Sequence, residues 1–258
     1  MIIPGMLSVT FRKLAPQEIV ALTKQAGLQA IAWGSDVHVP AGNLELAAEV
    51  GKMTADAGLQ VAAYASYYRL GSGEGEDFDQ LAETAESLGT KVIRVWAGSC
   101  GSAEADEATW ERVAEDARRV AAIAASRNMT VTLEYHQNTL TDTLESTLKL
   151  LQLVPEPSFT CDWQRLHEGE PELFRQELDA LRDRLLNLHV YYYQDRVQQS
   201  LAAGDQAWAT HFKQVNALGR THYALIEFVA GGEQQRFLED AATLLALAGE
   251  AEAASARL

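Results

Sequence analysis

An α/β fold, a single (β/α)8 barrel of the TIM type over residues 1–250, is predicted by three features of this chain. The first is four short apolar runs, each ending in a residue able to bind a metal. They are TVTLEYH with Glu134, SFTCDW with Asp162, LLNLHVYY with His189 and YALIEFV with Glu227, at intervals of 28, 27 and 38 residues. One strand, one helix and two loops of such a barrel take about 30 residues, so the four side chains fall at equivalent places, the carboxyl ends of successive strands. The second is a regular alternation of strand-like and helix-like periods along the chain. The third is length: 258 residues, close to the ~250 typical of one barrel.

The strand-like runs are, in order, Ile2–Val9, Leu28–Trp33, Leu59–Tyr67, Lys91–Ala97, Met129–His136, Ser158–Trp163, Leu185–Tyr192 and Tyr223–Val229. Several are almost continuously apolar, as parallel strands covered on both faces are. Helical spacing fills the intervals. Trp110, Val113, Ala114, Ala117, Val120, Ala121 and Ala124 form one stripe, and Phe237, Leu238, Ala241, Leu244, Leu245 and Ala248 another. Gly27, Gly58 and Gly89, 31 residues apart, and later Gly219 stand where helices close before strands. Glycine is favoured there because it takes positive φ without a Cβ clash. Asp142 and Glu145 have the spacing of a capping box opening the helix after the Glu134 strand. The count is eight strands and eight helices, and strict alternation implies right-handed crossovers and a parallel sheet. A doubly wound open sheet is the alternative, but no glycine-rich phosphate loop follows the first strand. The tail, residues 251–258, is Ala/Glu-rich and is expected to fray.

Composition bounds the function. A formal net charge of −15 disfavours nucleic acid and anionic membrane surfaces as partners. No apolar run reaches the ~20 residues of a membrane span, and the start reads as a first strand rather than a signal peptide. Cys100 and Cys161 lie in no paired motif, so reduced thiols in a cytoplasmic protein are expected. The acidic run GSGEGED, residues 71–77, reads as a loop with no preorganised metal geometry.

Taken singly, a carboxylate at a strand end is usually a surface or capping group. It is the matched placement of Glu134, Asp162, His189 and Glu227 that makes a metal site. Three carboxylates and an imidazole suit one divalent ion: Mn, Mg, Co or Zn. His136 shares a strand side with Glu134 and is either a substrate contact or a loop-start histidine. His38, after the second strand, either reaches the site or caps its loop, while His167, His211 and His222 read as structural or exposed. Trp33, Trp96 and Trp163 lie near strand ends, where indoles either stack on a sugar or fill the top core layer. Trp110 and Trp208 pack the barrel or a second copy of the chain, which leaves a homo-oligomer open. Arg165 and Arg196 are candidates for a substrate hydroxyl, carboxylate or phosphate. One hydroxyl among Tyr191–Tyr193 is placed to point inward.

Over nearly its whole length the chain resembles the xylose-isomerase-like barrel superfamily of sugar epimerases, inosose dehydratases and family 2 endonucleases. AGLQAIAWGSDVHVP is similar to its second strand and following loop, and TLEYHQNTLTD to its metal-glutamate strand. The resemblance implies one metal on Glu134, Asp162, His189 and Glu227, with Glu134 and Glu227 also serving as the acid–base pair. The chain departs from the pattern at Arg165, where a His is frequent, at Ala32, where an acid is frequent, and at Val190-Tyr191-Tyr192-Tyr193, where a Lys-Asp pair is common. The ligand from the sixth strand is Asp162 or, alternatively, the amide oxygen of Gln164. Hydride-shift isomerases of the superfamily carry a lysine where this chain has His136, so proton transfer through an enediolate is expected.

Three functions follow. The leading expectation is a metal-dependent sugar or sugar-derivative isomerase or epimerase acting on a small carbohydrate. The alternative is a dehydratase of a cyclic keto-polyol using the same groups. The third is a non-catalytic sugar-binding barrel. A multi-zinc endonuclease is disfavoured, because the third and fourth strand ends carry Tyr64-Ala65-Ser66 and Trp96-Ala97-Gly98 instead of extra histidines.

Overall fold

The computed structural model describes residues 1–73, 77–166, 169 and 171–255. In chain order it runs β1 (Ile2–Leu7), α1 (Pro16–Gln25), β2 (Ala30–Gly34), α2 (Leu44–Asp56), β3 (Gln60–Arg69), α3 (Phe78–Leu88), β4 (Val92–Trp96), α4 (Glu107–Ser126), β5 (Thr130–Glu134) and α5 (Leu144–Leu153). It continues with β6 (Phe159–Trp163), α6 (Pro171–Leu181), β7 (Leu185–Val190), a hairpin of β8 (Tyr192–Gln194) and β9 (Val197–Gln199), α7 (Asp205–Asn216), β10 (His222–Ile226) and α8 (Gln234–Ser255). Eight strands pair in parallel and close on themselves in the order β1-β10-β7-β6-β5-β4-β3-β2. The barrel is shut where β1 pairs with both β10 and β2. Gly5 permits that closure, since a Cβ there would stand 2.5 Å from the Ala30 carbonyl oxygen. The open doubly wound alternative is thereby excluded.

The helix-closing glycines are where expected: Gly27, Gly58, Gly89 and Gly219 all have positive φ. Gly89 at φ 88° donates back to the last carbonyls of α3, the bonds an αL cap makes. The capping box of α5 is one residue displaced from the expected Asp142–Glu145 pair: Thr143 is the N-cap and Ser146 its partner. Asp142 is occupied elsewhere, accepting from the Ser102 amide.

Several strands end before the apolar runs do, although β2 and β3 run past theirs to Gly34 and Arg69. The fifth run stops at Glu134, because the chain turns back through Asn138 (φ 59°) and the His136 amide pairs with the Thr141 carbonyl. The seventh stops at Val190, where the β8–β9 hairpin, absent from the sequence reading, leaves the barrel. The eighth stops at Ile226, because Phe228 takes φ 60°. α8 continues helically through the segment expected to fray, with Ala251 buried, as far as Ser255. Residues 256–258, His167 and the middle of the acidic run (74–76) lie outside the described residues.

Two apolar layers result. The larger lies between strands and helices and holds Ile31, Trp33, Ile93, Val95, Leu133 and Trp163. The smaller lies toward the barrel axis and is built of Ile3, Leu7, Val9, Ala30, Ala32, Ala62, Ala63 and Leu225. Alternation along the strands sorts residues between the layers, except at Ala62 and Ala63, neighbours in one layer where the β2–β3 register shifts.

Candidate active site

The inward positions of β4 to β7 and β10 carry polar groups at their carboxyl ends. Glu134 is the last residue of β5 and is in register with Asp162 of β6. His189 of β7 is in register with Leu225 of β10, and Glu227 follows that strand, its amide donating to the Val190 carbonyl. All four side chains are buried. The His189 Nδ1 lies 3.1 Å from Glu227 Oε2 and 3.6 Å from Glu134 Oε1, while its Nε2 is 3.8 Å from Asp162 Oδ2. The other Asp162 oxygen accepts from the Thr132 hydroxyl at 2.9 Å and the Asn187 amide at 3.0 Å.

Arg94, on β4, completes this group. Its guanidinium is 2.7 Å from Glu134 Oε2 and buried, and the Trp96 indole N–H donates to the same oxygen. Sequence reasoning passed over Arg94. The signal was a lone charge inside the apolar run KVIRVWA, which a buried strand retains only with a partner. Arg94 pairs in register with Thr132, so it shares a face with Glu134.

Electrostatics follow from this packing. Burial would raise the Glu134 carboxyl, but Arg94 and then His189 outweigh it and hold it well below the usual carboxylate range. Burial would lower His189, yet Glu227 and Glu134 raise it to about 10. Burial pushes Asp162 up, offset in part by His189. Three buried carboxylates thus face one arginine and one imidazole, an excess of negative charge that a divalent cation would offset.

The donor set fits such an ion. One ligand atom from each of Glu134, His189 and Glu227 lies within 4.8 Å of the others. This buried cluster is able to hold a metal. Asp162 stands at the far edge of the imidazole, outside that trio, with Oδ2 turned to His189 Nε2 and Oδ1 taken by Thr132. Gln164 turns its amide nitrogen, not its oxygen, to Glu134 Oε1 (3.4 Å) and the Tyr135 carbonyl (2.8 Å).

A cavity of about 1000 Å³ opens beside the cluster, lined by His136, Gln164, Arg165, Tyr191, Tyr193, Arg196, Glu227 and Phe228, among others. His136 stacks on Trp96 at 5.0 Å between centroids. Its Nδ1 is 2.6 Å from the Gln137 carbonyl oxygen, so Nδ1 is the donor in that bond. Arg165 lies over Phe174 and Tyr192. Arg196 sits with Asp195 at the tip of the β8–β9 hairpin, both at positive φ. Aspartate takes that conformation readily in a hairpin turn, whereas Arg196 holds it at a cost. The Tyr191 hydroxyl donates to the Arg165 carbonyl, and its ring faces the cavity.

Three expected site residues are elsewhere. Trp33 faces outward, its N–H on Thr54 of α2. Trp163 also faces outward, its N–H on Glu177 of α6. His38 bonds the Leu14 carbonyl and packs edge-on against Trp33, so it closes its loop instead of reaching the site. His211 and His222 are buried structural groups, and Trp208 is packed inside against Trp163.

Comparison with known proteins agrees with this architecture. The family model for xylose isomerase-like TIM barrels matches residues 20–247. A 3-dehydroshikimate dehydratase of Bacillus anthracis is 40% identical over 95 residues, which is 37% of this chain and 34% of that protein. The chain therefore matches about a third of that relative's length. The crystal structure of the probable 3-DHS dehydratase AsbF of Bacillus anthracis superposes with a TM-score of 0.79 at 21% identity, over 95% of this chain and 99% of that one. A xylose isomerase-like TIM barrel protein of Mycobacterium smegmatis, solved with magnesium, gives 0.74 at 13% identity over 96% and 97% of the two chains. At these identities the structural likeness is one of fold.

Proposed function

The chain belongs to the xylose isomerase-like TIM barrel family, and from that premise we propose that it is a divalent-metal-dependent lyase removing water from a hydroxylated cyclic keto acid of the 3-dehydroshikimate kind. The observation that carries this reading over an epimerase is the state of Glu134. Its Oε2 is held by Arg94 and Trp96, so one carboxylate of the expected acid–base pair is committed as an anion. Proton return on the opposite face, which epimerisation needs, loses its donor. The partial match to a 3-dehydroshikimate dehydratase supports the same choice.

The residues divide the work as follows. Glu134, His189 and Glu227 would hold the ion, with Asp162 Oδ2 as the fourth donor. A divalent ion there supplies positive charge beside the substrate carbonyl oxygen. Arg165 and Arg196 line the cavity and fit a ring carboxylate, since a guanidinium pairs with it through two parallel bonds. His136 Nε2 removes the proton next to the carbonyl. That C–H pair becomes the new double bond as the hydroxyl on the adjoining carbon leaves, and His136 returns its proton to that hydroxyl as water. Tyr191 and Phe228 restrict water around the ring.

Isomerisation or epimerisation of a ketose is the second reading, favoured by Glu134 and Glu227 converging on the same nitrogen, His189 Nδ1. One experiment separates them. Purified protein with Mn2+ is incubated with 3-dehydroshikimate and, separately, with a panel of ketoses, and products are weighed by mass spectrometry. Loss of one water from the keto acid is expected. Turnover of a ketose without mass change, the keto acid being inert, would overturn the lyase reading.

A further inference from the structure

We propose that Glu177, on the helix after β6, is a positioning residue for the metal cluster; this rests on the metal-site reading above. The position is anomalous in the sequence. Phe174, Glu177, Leu178 and Leu181 form the buried stripe of α6, and a glutamate occupies a place where an apolar residue would pack. Glu177 is 1% exposed. A carboxylate so deeply buried is retained where its hydrogen bonds serve a purpose.

Two of its bonds show what it holds. One oxygen accepts from the Tyr135 hydroxyl at 3.0 Å, the other from the Trp163 indole at 2.8 Å. Tyr135 lies between Glu134 and His136, and Trp163 between Asp162 and Gln164. Side chains alternate along a strand, so the two residues that point outward to Glu177 are those between the inward groups of the site. Glu177 therefore ties β5 to β6 from outside the barrel, at the level of the cluster.

The backbone there needs such a tie. Pairing of β5 with β6 ends at Glu134↔Asp162, with the Tyr135 amide to Asp162 carbonyl bond at 3.0 Å as the last rung. On its other side β6 shifts register against β7 between Cys161 and Trp163. Beyond that point the strand ends are fixed by side chains: Gln164 to the Tyr135 carbonyl inside the barrel, and Glu177 outside. Without Glu177, Glu134 and Asp162 are free to drift apart, and a metal site tolerates little drift in its donors.

The test is Mn2+ binding by calorimetry on the purified full chain, wild type against Glu177→Gln, Glu177→Leu and Leu178→Ala. Leu178 is buried on the same helix and its side chain is apolar, so its variant reports what loosening α6 does by itself. Glu177→Leu is expected to weaken Mn2+ by about 10–100-fold, the range seen when supporting groups of a metal site are removed. Glu177→Gln, isosteric and still able to accept through one oxygen, is expected to lose less and carries the test if the leucine variant does not fold. Leu178→Ala is expected to lower the melting temperature while leaving the affinity at the wild-type value. Equal Mn2+ affinity in wild type and both Glu177 variants overturns the inference, as does an equal loss in Leu178→Ala. Wild type that takes up no Mn2+ overturns the metal-site reading and this inference with it.

Discussion

The residue that most changes the chemistry of this site is Arg94. Buried at 3% exposure and 2.7 Å from Glu134, it turns a prospective proton carrier into a fixed anion. Removing one partner of a buried ion pair leaves the other uncompensated, at about 3–5 kcal/mol. Arg94→Met is therefore expected to lose stability of that order in urea unfolding of the metal-free protein, and Arg94→Lys less. Mn2+ is expected to recover part of the loss, since it neutralises the stranded carboxylate. Equal unfolding midpoints for wild type and Arg94→Met would refute the pairing. Arg94 was legible in the sequence in principle. Counting alternate positions back from the strand end puts Arg94 and Trp96 on the inner face, and the same counting sends Trp33 and Trp163 outward, away from the site. Closeness to a strand end is a poorer guide than parity along it.

At the scale of elements, α6, α7 and β6 meet in an aromatic box in which His211 lies between Trp163, Trp208 and Phe174. Burial, and secondarily Arg165, lowers its pKa from 6.5 to about 4. The folded state thus binds this proton less well than the unfolded chain. The sign follows: stability is full above pH 6.5 and falls as pH drops from there toward 4, by about 3 kcal/mol at the limit from this group alone. His211→Phe, which keeps the ring and removes the titration, is expected to flatten that part of the melting-temperature profile. Profiles of the same slope for both proteins would refute the assignment. The sequence had His211 only as structural or exposed, because the helical stripe tells which face is covered but not that three aromatic groups converge on it. The β8–β9 hairpin was likewise hidden: TyrTyrTyr reads as more strand, and only the chain's departure after Val190 frees Arg196 to reach the cavity.

For the molecule as a whole, the prediction concerns linkage between metal and fold. Glu134 and His189 lie on β5 and β7 and Glu227 just beyond β10, so the unfolded chain has no comparable site. An ion that binds the folded state alone adds about 2.7 kcal/mol at a hundred times its dissociation constant, which for a chain of this size raises the melting temperature by roughly 5–10 °C. Mn2+ is expected to produce that rise, a chelator to reverse it, and His189→Ala to abolish it. A rise of equal size in His189→Ala would place the ion elsewhere. No described helix is long and apolar enough to cross a membrane.

Periodicity and spacing determined the barrel by themselves. Strand and helix repeats are local properties, closing glycines declare a backbone conformation only they adopt cheaply, and a repeat near 30 residues implies strand–helix units that close at eight. The same spacing located Glu134, Asp162, His189 and Glu227, because every unit delivers the carboxyl end of its strand to the same rim. Tertiary structure alone decided what those residues meet. The Arg94–Glu134 pair joins positions 40 apart, and Glu177 reaches Tyr135 across 42. Whether a carboxylate serves as ligand or base depends on such partners, and on a desolvation that exists only once the barrel has closed around it.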